Sequence, residues 1–215
     1  IYLILTGSRT GILDILVHFR KEIMHYTAPT SGNNSSSSIV ISLTIGKIPN
    51  SSLNGSNSYR TIYLVSIFKI ASLQISEREH TQTAHLLQVV NAIERISDYC
   101  ENISEYAEEM VEQKIHFSEI GQEELKEMLD VCFDSYNYAL EAFVERDREK
   151  ALLAVEKERE ADKLEVTLRT KHIGRVTKNQ CNTEAGIVFL DMLICLERIS
   201  DHARTIADEV LEHIA

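Results

Sequence analysis

The sequence predicts an all-α protein built as an antiparallel helical bundle, and three observations carry that reading. From Ser76 to the end of the chain, apolar residues recur at spacings of three and four with no proline. Short polar breaks carrying helix-capping residues divide this stretch into rods of bundle length. Finally, the five letters ERISD occur at Glu94 and again at Glu197, an interval of 103 residues. The agreement continues in character, apolar at Ile103 and Ile206 and acidic at Glu105 and Asp208, so a helical unit is duplicated.

Taken in order, Ser76 with Glu79 forms a capping box, which satisfies two orphan amides at a helix start. The helix it opens is expected to run to about Lys114, with Ala84, Leu87, Val90, Ile93 and Ile96 on its apolar face. Phe117 to Gly121 reads as a break with Ser118 as cap. A second helix follows from about Glu123 to Glu145, a third from about Asp147 to His172, and a fourth from about Asn182 to His213; Gly174 serves as the stop of the third. Short links between long helices mean antiparallel neighbours, so residues 118–215 are expected to form one three-helix repeat.

Residues 1–75 are different. Up to Ser76 the chain holds six basic and two acidic residues, both prolines and five of the eight glycines. Segments such as SGNNSSSSI and PNSSLNGSNSYR have no apolar period and read as loop or disorder. This region is expected to be divergent or disordered, and residues 76–117 to be the remnant of a first repeat, reduced to its long helix.

A formal net charge of −11 excludes a nucleic-acid binder, which needs a basic stripe, and favours cations as guests. The four cysteines (Cys100, Cys132, Cys181 and Cys195) show no CxxC spacing and read as reduced core thiols in a cytoplasmic setting. No run approaches the ~18 apolar residues of a membrane span. There is no glycine-rich phosphate loop and no Ser-His-Asp or Cys-His arrangement, so the chain is expected not to be an enzyme.

The chemistry lies in acid pairs. On a helix, residues four apart share a face, so Glu197 and Asp201 stand one turn apart, on a face continued by Leu190 and Ile194. VEKEREADKLE repeats the spacing with Glu158 and Asp162, flanked by Val155 and Val166, and Glu94 with Asp98 is the third pair. Acids directed toward a bundle interior repel and lose solvation unless protons or cations compensate. If the third and fourth helices pack antiparallel, four carboxylates converge into an all-oxygen site for a hard divalent cation or iron. The competing reading is solvated surface, with Arg198 or Lys157 as ion-pair partners. EREH at Glu77 to His80 has the E-x-x-H spacing of ferritin-like di-iron proteins, but in a single copy at a helix start.

The strings LLQVVNAIERISDYCENISEYAEE and VFLDMLICLERISDHARTIADEVLE resemble the third helix of PhoU domains, and VEKEREADKLE resembles their second-helix motif. The resemblance implies an all-α fold of PhoU-like three-helix repeats, the first incomplete here. It further implies a metal cluster on E/D-x-x-x-D motifs (iron first, then zinc, manganese or magnesium) and a regulatory role in phosphate uptake. A phosphate transporter or its membrane domain would be the partner, with a sensor kinase and a further copy of the chain as others, at the inner face of the cell membrane. The same domain occurs at the cytoplasmic C-terminus of sodium/phosphate cotransporters, which a chain starting at Ile1 and ending after the second copy fits; a stand-alone regulator is the alternative. The family has His after the motif's Asp and Asn four residues after it, where this chain has Tyr99 with Asn102 and His202 with Thr205. Gly55 and Tyr59 stand at the offset where acids should face Glu94 and Asp98. One competent cluster is therefore expected, on Glu158, Asp162, Glu197 and Asp201.

Overall fold

The computed structural model describes residues 77–178 and 180–214. Residues 1–75, the capping box at Ser76, and Gly55 and Tyr59 lie outside them. Every described element is helical: α1 (Glu77–Gln113), α2 (Glu119–Glu145), α3 (Arg148–Thr177) and α4 (Thr183–Glu209), followed by one π-helical turn (Val210–Ile214). Among the described residues no helix is long and apolar enough to cross a membrane.

The links are short because each helix is closed and reopened locally. α1 ends at Lys114, held in the left-handed region (φ 57°), where the Ile115 N–H donates to the Met110 carbonyl at 2.9 Å. α2 ends the same way at Arg146 (φ 58°), with the Asp147 N–H donating to the Ala142 carbonyl at 3.0 Å. Both are Schellman closures in which a residue other than glycine occupies the left-handed position. Asp147 then caps α3, its carboxylate accepting from the Glu149 and Lys150 amides. Two residues thus turn the chain by half a circle.

Two expectations about glycine are corrected. Gly121 does not break the chain: it sits in the first turn of α2 and donates its N–H to Ser118 Oγ at 3.2 Å, so α2 starts at Glu119 instead of about Glu123. Nor does Gly174 stop α3, which continues to Thr177. An interior glycine costs a helix only about 1 kcal/mol. Here the following turn is anchored by Arg175, whose guanidinium forks onto the buried carboxylate of Glu124 on α2. The fourth helix reaches His213 as expected, but its last turn widens, and Arg148 Nη1 donates to the Leu211 carbonyl at 2.8 Å across it.

α2, α3 and α4 pack against one another in pairs. Ala139, Ala142, Ala151, Ala154, Ala161, Ala203 and Ala207 are fully buried at these seams and let the backbones approach. Leu125, Met128, Leu168, Phe189, Leu193, Ile199 and Ile206 fill the space between them. Each of these larger side chains contributes roughly 1.5–3 kcal/mol on leaving water.

α1 meets α4 at duplicated positions. The ring of Tyr99, directly after the first ERISD, stacks on that of His202, directly after the second, with centroids 5.8 Å apart and planes 22° from parallel. Equivalent residues touching each other is the signature of a local two-fold relation. The two copies of the sequence repeat thus touch at equivalent positions.

Of the cysteines, Cys100, Cys132 and Cys195 are buried, and burial pushes their thiols up, Cys100 to about 12 and Cys195 to about 11. Cys181 departs from the core-thiol expectation, standing half-buried in the link between α3 and α4.

Candidate metal centre

Antiparallel packing of α3 on α4 sets Glu158 and Asp162 opposite Asp201. One carboxylate oxygen from each of the three lies within 4.8 Å of the other two. Glu158 is buried, Asp201 half-buried and Asp162 exposed, so the cluster lies at the edge of the bundle with one acid rooted inside. The apolar face expected to continue it does so on one side only: Val155 is buried, whereas Val166 and Ile194 are exposed.

Glu197 stands outside the triad. Its carboxylate meets Arg198 Nε at 3.3 Å, yet it still feels the triad, because its pKa is raised by burial first and by Asp201 next, with Asp162 and Glu165 adding to the rise. Glu158 is likewise raised, first by burial, with Asp162 and Asp201 opposing its ionisation and Arg204 favouring it.

Two guanidiniums answer part of this charge. Arg204 Nη1 donates to both oxygens of Glu158 at 3.0 and 2.9 Å, and Arg198 Nη1 donates to Asp201 Oδ2 at 3.0 Å. Arg198 also meets Glu197 and Arg204 also reaches Asp208 at 3.5 Å, so the two guanidiniums are shared among more acids than they can neutralise and the cluster keeps a net negative charge. The all-oxygen donors suit a hard cation. The set therefore fits a single ion, with Asp162 and Asp201 presenting the accessible oxygens and Glu158 the buried one.

The first copy is built differently. Arg95 lies 3.9 Å from Asp98, both side chains about half exposed. Among the described residues no third His, Cys, Asp or Glu joins Glu94 and Asp98 closely enough to share an ion. His202 is committed to Tyr99, and the Thr205 hydroxyl donates to the Asp201 carbonyl of its own helix at 3.2 Å. The E-x-x-H string of Glu77 to His80 falls in the first turn of α1.

Sequence reasoning passed over two participants. Glu165 is buried, seven residues after Glu158 and hence on the same face, and accepts from Arg169 Nε at 2.6 Å. Arg204 is three residues beyond Asp201 and seven beyond Glu197, the spacing that would have marked it as a neighbour.

Comparison with known proteins agrees with this architecture. The chain is similar to the phosphate-specific transport system accessory protein PhoU homolog 1 of Thermotoga maritima, with 30% identity over 126 residues, 59% of this chain and 53% of that protein. It thus spans about half the length of that curated relative. Its fold matches the crystal structure of PhoU from Pseudomonas aeruginosa with a TM-score of 0.69 at 19% identity, covering 94% of this chain and 93% of that one. The phosphate transport system regulatory protein PhoU from Streptococcus pneumoniae gives 0.63 at 16% identity, with the same coverage. The sequence model of the PhoU domain matches residues 57–107 and 125–210, well over half the chain, and the chain therefore belongs to the PhoU domain family.

Proposed function

We propose that this chain is a non-enzymatic regulator of phosphate uptake that acts on a phosphate transporter at the cytoplasmic membrane face and holds one cation on Glu158, Asp162 and Asp201. The observation that carries the metal reading is the convergence of those three carboxylates from two facing helices. The regulatory reading is supported by membership of the PhoU domain family and by similarity to a phosphate transport accessory protein. The protein's part is to fix the oxygens; a hard ion bound there would cross-link α3 to α4 and lock their register. Iron, manganese, magnesium and zinc differ in how well they suit three oxygens, with the harder ions favoured. We place the chain as the C-terminal part of a sodium-dependent phosphate cotransporter, with a stand-alone regulator as the alternative.

A second reading is favoured by Arg204, which already accompanies both oxygens of Glu158. In it the cluster is a salt-bridge network that holds α3 on α4 without metal. Manganese titration of the full chain followed by metal analysis separates the two. The metal reading expects about one ion per chain, lost in an Asp162→Asn/Asp201→Asn double variant and kept in Glu94→Ala/Asp98→Ala. No bound ion, or equal loss in both variants, establishes the network instead. For the regulatory role, phosphate uptake by cells lacking the chain should be deregulated and be restored by the intact protein; unchanged uptake would overturn it.

A further inference from the structure

A cavity of about 230 Å³ lies in the same three-helix unit, where α2 and α4 begin and α3 ends. His172, on its wall, is ten residues beyond Asp162 on α3, about 15 Å further along the helix. The cavity is smaller than the usual 300–1,000 Å³ of organic-ligand sites and has room for an ion with some water.

Its walls suit an anion. Both cap residues, Ser118 of α2 and Asn182 of α4, line it, so two helix N-termini open on one space; the caps take the Gly121 and Glu184 amides and leave the other first-turn amides to a ligand. Although the chain is strongly acidic overall, none of the described residues lining the cavity is acidic. Gly121 and Gly186 keep it open: a Cβ on Gly186 would lie 2.8 Å from His172 Nε2.

His172 supplies the independent sign of a ligand. It is 95% buried, its ring stacks on Phe189 with centroids 4.7 Å apart, and its Nε2 is buried without a hydrogen-bond partner. The other ring nitrogen, Nδ1, faces Arg175 Nη2 at 3.4 Å. A guanidinium can only donate, so Nδ1 is the acceptor and Nε2 carries the hydrogen. Burial and Arg175 both lower the His172 pKa, which keeps the ring in this neutral form. Arg175 itself is engaged by Glu124 and serves to orient the ring. The result is a buried N–H donor with no acceptor, a costly arrangement unless something occupies the space in front of it.

We propose that this cavity binds a small tetrahedral oxyanion, of which inorganic phosphate is the simplest member, between the N-termini of α2 and α4 with His172 Nε2–H as its side-chain donor. The site goes beyond the role proposed above and does not depend on the carboxylate cluster.

Calorimetric titration of the full chain with inorganic phosphate, with and without added manganese, tests it. Saturable binding is expected, weakened about tenfold or more by His172→Phe, which keeps the ring and removes the donor. His172→Gln, which restores an N–H, should recover part of the affinity, and Gly186→Ala should weaken binding by crowding Nε2. Thermal melts identify any variant that fails to fold, leaving the others to decide. Asp162→Asn/Asp201→Asn should bind phosphate normally; loss there would mean that phosphate rides on a cluster-bound cation and would overturn the site. Absence of saturable phosphate binding, or affinity unmoved by all three cavity variants, would also overturn it. Sulfate should compete and acetate should not; equal competition by acetate removes the tetrahedral assignment. Competition by glycerol phosphate in a further arm distinguishes esterified from free phosphate as the source.

Discussion

The two copies of ERISD share five letters and differ in what faces them. On α4, Asp201 looks across at Glu158 and Asp162, one of them buried, and burial first, then the neighbouring carboxylates, raises Glu158 and Glu197. On α1, Asp98 has Arg95 of its own helix at 3.9 Å, at an exposed surface. An acid pair becomes a site through the helix that faces it, because only a second element can bring further oxygens to the same point and strip away the water that would otherwise solvate them.

The largest test of this contrast is cation affinity. Asp162→Asn/Asp201→Asn should lower manganese affinity by about a hundredfold or more, since even the outer partners of a metal site are worth 10–100-fold. Glu94→Ala/Asp98→Ala should leave it within error, as read by electron paramagnetic resonance of free manganese. Equal losses would erase the distinction between the copies.

Next in size is Arg204→Ala. It leaves the Glu158 carboxylate buried without its counter-ion, and breaking a fully buried pair costs about 3–5 kcal/mol. Arg204 is 36% exposed, so solvent reduces this to roughly 1–3 kcal/mol. Denaturant unfolding should show that loss, and millimolar manganese should recover part of it by binding only the folded state. Arg95→Ala, at the other copy, should change stability by less than about 0.5 kcal/mol.

The electrostatic contrast is also visible in pH. Glu158 and Glu197 have folded-state pKa values above the ordinary 4.5, so each holds its proton more tightly folded than unfolded. The stability this contributes is complete below about 4.5 and is lost as pH rises through the raised values. Carbon-detected NMR titration of the metal-free protein should place both carboxyls above the usual range, and Asp162→Asn should lower both only slightly, because burial is the larger cause.

The smallest expected effect sharpens the symmetry rather than the difference. Tyr99→Ala and His202→Ala remove opposite halves of one stack, worth about 0.5–1.5 kcal/mol beyond the area it buries. A double-mutant cycle should show the two losses to be non-additive by that amount.

Much of the fold was legible. Ser118, Asp147 and Asn182 are short polar residues placed before apolar periods, and each caps the helix that follows it. The glycines misled because a glycine's effect depends on what surrounds it: Gly121 lies in a capped first turn, and Gly174 lies one residue before an arginine anchored on a buried glutamate. At the site, spacing put Glu158 with Asp162 and Glu197 with Asp201 and offered Arg198 as an ion-pair partner, but it could not say that Glu158 would take Arg204 from the facing helix. Side-chain choice among nearby partners is decided by distances across helices, which no single-helix pattern contains.

By itself, then, the sequence determined the helices, their caps, the duplication and the acid faces, all of which depend on residues within a few turns of one another. Only the tertiary structure decided that three acids, not four, share one point, that Arg204 stands among them, and that His172 ends with an unanswered N–H at the junction of two helix starts. Those facts depend on the register of α3 against α4, and that register is set by the alanine seams and the large core side chains acting together.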